Sequence, residues 1–326
     1  YDTADLPTTG GSVTLAESVP LDDAFVVQRL REAGALVLAK SNLTELARGG
    51  TTVSSLGGQT KNPYDLTRTP GGSSGGTGAA IAANFGAIGT GSDTGQSIRS
   101  PASAGSLVGL RPTRGLVSRD GIIPLSTTQD AAGPITRTVE DTAQMLDVIA
   151  GYDPNDPITA FSFGKIPKSY THSLNPEGLA GARIGVLLDF FGANARHEDV
   201  NAVTEAAIGQ MAGLGATVVR MRIPDLDRLT RGLAVSSFEA KIALNAYLAD
   251  LGSGAPVRTL EEFLGRGTFH ESIRRSLETD QRVMGGLTDA EYWRRVRRHQ
   301  KLRQAVMTAM AAHDLDAILY PHQRRL

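Results

Sequence analysis

Ala182-Arg-Ile-Gly-Val-Leu-Leu188 is a short apolar run between polar connections, and its reading decides the fold class. It has the length and composition of a buried strand. Residues 198–212 follow as an amphipathic helix that stops near Gly213, and Ala216-Thr-Val-Val-Arg-Met221 reads as a second strand. A helical crossover returns the chain to the same end of a sheet, so a strand–helix–strand unit favours parallel pairing and an α/β fold.

The same reading extends outward in both directions. Towards the C-terminus, residues 233–250 and 271–312 are mainly helical, and Asp316–Tyr320 is a last strand. Upstream, 152–180 is a polar connection, and Thr138-Val-Glu-Asp141 is a capping box opening a helix through Ile149. Residues 92–136 read as turns and short extended pieces, an irregular stretch long enough to build a site. Ala87–Gly91 is a short strand, preceded by a small-residue helix over Gly78–Phe85. Residues 51–78 hold too few apolar side chains for a core element. Further upstream, 21–34 carries Phe25, Val26, Leu30 and Ala33 at helical spacing before Gly34. Ala35-Leu-Val-Leu-Ala39 then reads as a buried strand, and Ser41–Ala47 as the start of a helix.

Composition narrows the function classes. The 326 residues are 40% hydrophobic and carry a formal net charge of −1, which gives no long-range attraction to nucleic acid or an acidic membrane. There is no cysteine, so disulfides, thiolate metal sites and a cysteine nucleophile are excluded. No stretch approaches a membrane span. Arg294, Arg295, Arg297, Arg298 and Lys301 read as the solvated face of a long helix, not as a nucleic-acid surface, because no aromatics interleave them. The opening Tyr1-Asp-Thr-Ala-Asp-Leu-Pro7 reads like the interior of a longer protein, and the chain stops just after its last strand. Nothing assigns a compartment, the cytoplasm being the default.

Two clusters of small and hydroxyl residues carry the chemistry: Gly71-Gly-Ser73-Ser74-Gly-Gly76 and Gly91-Ser-Asp93-Thr-Gly95-Gln-Ser97-Ile-Arg99. Cleaving an amide needs an activated nucleophile, a proton for the leaving nitrogen and donors for the oxyanion. Ser97 offers the hydroxyl. The peptide N–H groups of Thr94, Gly95, Gln96 and Ser97 offer the donors, since glycine tolerates the backbone turns this requires. Asp93 and Arg99 are close enough to pair and brace the loop.

Other templates fit worse. Gly72-Ser-Ser74-Gly-Gly76 matches a nucleophile elbow only formally, because no strand precedes it. All six histidines lie beyond residue 171, and none sits in a turn-plus-acid context. No Gly-Lys-Ser/Thr completes a phosphate loop, and Gly76-Thr-Gly78 lacks the strand and third glycine of a dinucleotide fingerprint. No His, Asp or Glu cluster has metal-ligand spacing.

With Gly109-Leu-Arg-Pro-Thr-Arg-Gly115, Asp130-Ala-Ala-Gly-Pro134, Asp5-Leu-Pro-Thr-Thr-Gly-Gly-Ser12 and Thr138-Val-Glu-Asp-Thr142, the two clusters resemble the amidase signature family, including the 24 positions between Ser73 and Ser97. The resemblance covers essentially the whole chain. It implies a single amidase domain over residues 1–326, with a large mixed sheet surrounded by helices. Its signature core falls at about 1–150 and its pocket region at about 180–326.

It also implies a Ser–Ser–Lys triad. Ser97 would attack the carbonyl, and Ser73, held by a cis peptide bond, would relay protons. A buried neutral lysine would be the base; burial disfavours the cation, so such a lysine accepts a proton near neutral pH. Thr94, Gly95 and Gln96 would line the oxyanion hole with Ser97, and Ser74 would join Asp93 and Arg99 in supporting the loop. The substrate would be a small-molecule amide; no cofactor or metal is implied, and a homodimer is allowed.

The sequence departs from the family twice. Gln96 stands where the family has glycine. The family's lysine lies in a Val-Lys-Asp-Asn segment upstream of the residues matching Tyr1-Asp-Thr, so the base is expected outside this chain and the chain itself is expected to be poorly activated or inactive. Lys40 matches a different position and is read as structural. Phe238, Glu239, Lys241 and Tyr247 fall where the family varies its pocket. Two alternatives stand beside this reading: an inactive binding or structural protein, and a glutamine-hydrolysing component of an amidotransferase.

Overall fold

The computed structural model describes residues 1–323. In chain order it holds α1 (Phe25–Glu32), β1 (Val53–Ser54), β2 (Gly58–Gln59), α2 (Gly75–Ala82), β3 (Ile88–Ser92), α3 (Arg99–Ala104), β4 (Val108–Gly109), β5 (Ala132–Thr136) and α4 (Val139–Ile149). There follow β6 (Arg183–Leu187), α5 (Glu198–Gly213), β7 (Thr217–Met221), α6 (Leu226–Thr230), α7 (Ser236–Asp250), α8 (Leu260–Arg266), α9 (Glu271–Arg282), α10 (Ala290–His313) and β8 (Ala317–Leu319). Two compact units share these elements. One combines Tyr1–His172 with Val235–Thr288; the other combines Ser173–Ala234 with the chain from Asp289 onward.

The second unit contains the strand–helix–strand run. β6 pairs in parallel with β7, from Arg183 opposite Thr217 to Leu187 opposite Met221, and in parallel with β8 on its other side. Leu187, Met221, Ile223 and Leu226 are buried together, with Leu302, Ala305 and Val306 of α10 packed against them. The helix between the strands runs as expected, although Ile208 is its one buried residue. Two arginines of α10, both half-buried, also make contacts that the solvated-face reading does not include. Arg295 Nη1 donates to the Ala234 carbonyl at 2.7 Å and Arg298 Nη1 to the Arg231 carbonyl at 2.6 Å. The guanidinium forks reach backbone acceptors that no local pattern reveals.

In the first unit β5 lies between β3 and β4, antiparallel to both. All five residues of β5 are buried, although Pro134 sits at its centre. Proline has no N–H to give a central ladder. The ladder to β4 accordingly ends at Gly109 opposite Ile135, one residue short of Pro134. Thr138 caps α4, its side chain accepting from Asp141 N at 3.0 Å, a contact worth about 1 kcal/mol. Met145, Leu146 and Ile149 of α4 then pack with Val26 of α1 and Ala132 of β5. A separate core joins Leu244 and Leu248 of α7, Phe263 of α8, and Ile273 and Leu277 of α9.

Three local expectations need correction. Ala35–Ala39 forms no strand, and Leu36 and Leu38 are 86% and 73% exposed. An apolar run satisfies the strand pattern without revealing whether a neighbour will pair with it. Ser41–Ala47 yields one 3₁₀ turn, Glu45–Ala47, ended by positive φ at Leu46 and Ala47. Residues 271–312 are mainly helical as expected, in two helices, α9 and α10, separated by a stretch holding Gly285-Gly286, with Gly286 at φ +47°. Conversely, α3 arises inside the stretch read as irregular. Its Pro101 falls in the first helical turn, where an N–H has no partner to lose.

Candidate active site

The first cluster leads into α2. The Gly72–Ser73 peptide bond is cis. Ser73 is buried, and its Oγ has no hydrogen-bond partner among the described residues. A strap of residues 42–52 fixes the backbone around it. Thr44 N donates to the Ser73 carbonyl at 3.0 Å. Thr52 Oγ1 donates to the Gly71 carbonyl at 2.7 Å and accepts from Gly75 N at 3.1 Å. Thr52 N in turn donates to Thr44 Oγ1 at 2.8 Å.

Glycine is required where the strap touches the cluster. A Cβ on Gly76 would stand 2.0 Å from the Asn42 carbonyl oxygen, and one on Gly72 would stand 2.7 Å from the Gly50 carbonyl carbon. Both are closer than real Cβ atoms come, so the glycines allow backbone to pack on backbone. Thr44 and Thr52 are buried in this arrangement, and the sequence pattern does not mark either. The signal available is weak: isolated threonines beside a Gly-rich stretch.

The second cluster begins where β3 ends, and Ser74 joins it to the first. Ser74 Oγ accepts from Ser92 N and donates to the Ser92 carbonyl, both at 3.3 Å. Ser74 N donates to the Ser97 carbonyl at 3.2 Å. Ser73 and Ser97 therefore sit on two backbone segments tied together at adjacent residues.

Asp93 organises the loop between β3 and α3 from within. It is fully buried. Its Oδ2 accepts from Ile98 N and from Arg99 Nε, both at 3.1 Å. Its Oδ1 accepts from Arg99 Nη2 and Arg111 Nε, both at 3.2 Å. Arg99 Nη2 also donates to the Gly95 carbonyl. Arg111 does not stand out in the sequence, since eighteen positions separate it from Asp93.

These bonds leave a distinctive remainder. Asp93 N is taken by the Ala131 carbonyl, Ile98 N by Asp93, and Ser100 N by the Gln96 carbonyl. Between them the N–H groups of Thr94, Gly95, Gln96 and Ser97 have no acceptor among the described residues. Ser97 itself is buried but for 6% of its surface, and no described group hydrogen-bonds its Oγ. Thr94 Oγ1 is held by Asp130 Oδ1 at 2.5 Å, while Asp130 Oδ2 accepts from Leu125 N and Ser126 N, both at 2.8 Å. Burial pushes the Asp130 carboxyl above the usual carboxylate range.

The expected pocket residues divide. Phe238 and Lys241 line a cavity of about 230 Å³ with Ile242, Asn245, Asp280 and Met284. Glu239 does not line it. It is buried and accepts from Ser126 Oγ, Thr128 Oγ1 and Thr128 N, which anchors the loop that holds Thr94. Tyr247 does not line it either; its hydroxyl donates to Asp2 Oδ1 at 2.7 Å. Helical spacing gives the face of α7 but not the partners waiting there.

Arg48 and Asp280 form a buried ion pair, with Arg48 Nη1 also 3.0 Å from Ser276 Oγ. The pair holds the chain just before Gly49-Gly50. Lys40 is half-buried, and its ammonium donates to Thr8 Oγ1 at 2.5 Å, Thr3 Oγ1 at 3.2 Å and the Leu6 carbonyl at 3.4 Å. Burial lowers its pKa to about 8. No group of three His, Asp or Glu side chains able to hold a metal occurs among the described residues.

Comparison with known proteins bears on this geometry. A family model described as Amidase matches residues 1–324. The A-type subunit of glutamyl-tRNA(Gln) amidotransferase from Nitratidesulfovibrio vulgaris is 45% identical over 249 residues, covering 75% of this chain and 50% of that protein. Its counterpart from Moorella thermoacetica is 39% identical over 317 residues, covering 95% of this chain and 64% of that protein. The native peptide amidase of Stenotrophomonas maltophilia superposes with a TM-score of 0.87 at 36% identity, covering 98% of this chain and 69% of that one. The chain thus spans between half and two thirds of the length of the two curated relatives.

Proposed function

This chain belongs to the amidase family, and we propose that it hydrolyses the C–N bond of a carboxylic amide through an acyl-enzyme on Ser97. The observation that carries the reading is the run of four unengaged N–H groups, Thr94 to Ser97, ending on an unengaged hydroxyl. Gly95 and Gln96 are exposed, so this run is open to solvent and ligand, and its four successive N–H groups, which the fold leaves without an internal acceptor, are free to serve one from outside. A developing oxyanion is such an acceptor.

In the proposed reaction Ser97 Oγ attacks the amide carbon and its proton passes to Ser73 Oγ, whose own proton moves on to a base. The carbonyl oxygen becomes the oxyanion held by the loop N–H groups. The C–N bond breaks as the nitrogen takes a proton back along the same path, leaving an ester on Ser97. Water then attacks that ester, gives its proton to the same relay, and releases the acid. Ser73 Oγ is buried and makes no bond to a described group, which leaves it available for the relay. Asp93, Arg99 and Ser74 shape the loop without touching substrate. Fluorophosphonate treatment of a protein that also carries the lysine segment which the resemblance places upstream of Tyr1, followed by peptide mapping, tests the reading: the adduct is expected on Ser97, and its absence there sinks the proposal.

Lys40 is not the base in this reading. Its three hydrogen bonds all go to the segment Thr3–Thr8, and none goes to Ser73. Lys40→Met, which keeps the aliphatic stem, is expected to retain most of the labelling rate and turnover. A folded but unreactive Lys40→Met protein overturns that assignment.

Two substrate classes remain. The structural likeness to a peptide amidase supports a peptide-type amide. The identity with glutamyl-tRNA(Gln) amidotransferase chains supports glutamine as the amide, with assembly into a multi-protein complex. Steady-state assays with a peptide amide and with free glutamine separate them. Hydrolysis of glutamine alone favours the amidotransferase reading, whereas labelling without turnover of either favours a binding role. Among the described residues no helix is long and apolar enough to cross a membrane.

A further inference from the structure

The side chain of Gln96 is unexplained by the reaction, which uses only its backbone. It is exposed, and it directly precedes Ser97. Its carbonyl is fixed by Ser100 N at 2.7 Å, so the side chain leaves the loop from a defined point. The carboxamide lies on the backbone of Gly50: a Cβ built there would stand 2.7 Å from Gln96 Nε2. Gly50 in turn packs on Gly72, the residue before Ser73. Gly50 thus lies against both the carboxamide and the residue before Ser73. No described protein group hydrogen-bonds it, so both its N–H₂ donor and its oxygen acceptor remain available.

We infer that the Gln96 carboxamide is a specificity element that hydrogen-bonds a second amide group lying next to the scissile carbonyl. The inference rests on the acyl-enzyme reading above and adds the substrate class, an N-acylated amino-acid amide or similar peptide-type amide. A peptide-type amide offers both a donor and an acceptor beside the reacting carbonyl, which matches what the carboxamide presents. A hydrocarbon acyl chain offers neither and leaves the carboxamide to water. Gly50 provides the floor; any side chain there would displace the carboxamide.

The test compares kcat/KM for an N-acyl amino-acid amide with kcat/KM for a straight-chain aliphatic amide of matched length. Methionine has a similar reach but cannot make these bonds, so Gln96→Met is expected to lower the ratio of the two values about tenfold, the effect of losing about one hydrogen bond. Gly50→Ala, which pushes the carboxamide aside, is expected to lower it in the same direction. Reading the ratio cancels any general damage to the oxyanion loop. A ratio unchanged in both variants overturns the inference. A wild-type protein that labels on Ser97 yet prefers the aliphatic amide also overturns it while leaving the acyl-enzyme reading intact. Failure of Ser97 to label removes that reading itself.

Discussion

In a protein that also carries the lysine segment expected upstream of Tyr1, Ser97→Ala is expected to lower amide turnover by a factor on the order of 10⁴ to 10⁶, the range seen when a nucleophile acting in a coupled set is removed. The fold should hardly register the change. Ser97 Oγ makes no hydrogen bond to a described group, and the bond that ties this residue to the first cluster uses its carbonyl, which alanine keeps. Melting within about 0.5 kcal/mol of wild type is therefore expected, as for substitutions that remove no partner. Loss of activity with an unchanged melt places the hydroxyl in the chemistry and not in the scaffold. Paired steady-state kinetics and thermal denaturation make the check. A Ser97→Ala protein that keeps more than a few per cent of wild-type turnover, after correction for contamination, shows that another group attacks the amide.

What the sequence made legible is what rests on near neighbours. The parallel pair β6–β7 announced itself because an apolar run, a helical period and a second apolar run follow one another within about forty residues. Thr138 capped α4 because the cap and the N–H it serves are three positions apart. Asp93 and Arg99 paired because six positions suffice to bend a loop between them. The contacts that escaped are long in sequence and made by common residue types. Arg48 meets Asp280 across 232 positions, and Glu239 meets Ser126 across 113. Neither partner's local pattern hints at the other. Thr44 and Thr52 escaped for a different reason: their hydroxyls serve backbone groups of a glycine cluster, so no side-chain pattern marks them. Ala35–Ala39 failed in the opposite sense, since a strand is a property of two segments and the pattern describes only one.

Removing the Asp93 carboxylate is the second large effect, and it follows from the bonds beneath the loop. Both oxygens are fully engaged by two guanidinium groups and the Ile98 N–H, with no solvent to replace them. Asp93→Ala leaves that N–H unpaired and two cations facing each other across a cavity. Breaking a buried pair by removing one member costs about 3–5 kcal/mol. Arg99 and Arg111 keep 32% and 27% of their side-chain surface in water, which relieves part of the penalty and places the expectation near the lower limit. Asp93→Asn preserves shape and one acceptor and should cost less, about 2 kcal/mol, by losing charge assistance on the remaining bonds. Urea denaturation measures both. The same substitutions should slow fluorophosphonate labelling of Ser97 even in the fraction that stays folded. The Ile98 bond to Asp93 closes the turn that presents residues 94–97, and without it the loop that carries the four N–H groups loses its brace. A structural acid unrelated to the site would lower stability while leaving the labelling rate of folded protein unchanged, and that outcome would remove Asp93 from any part in shaping the oxyanion loop.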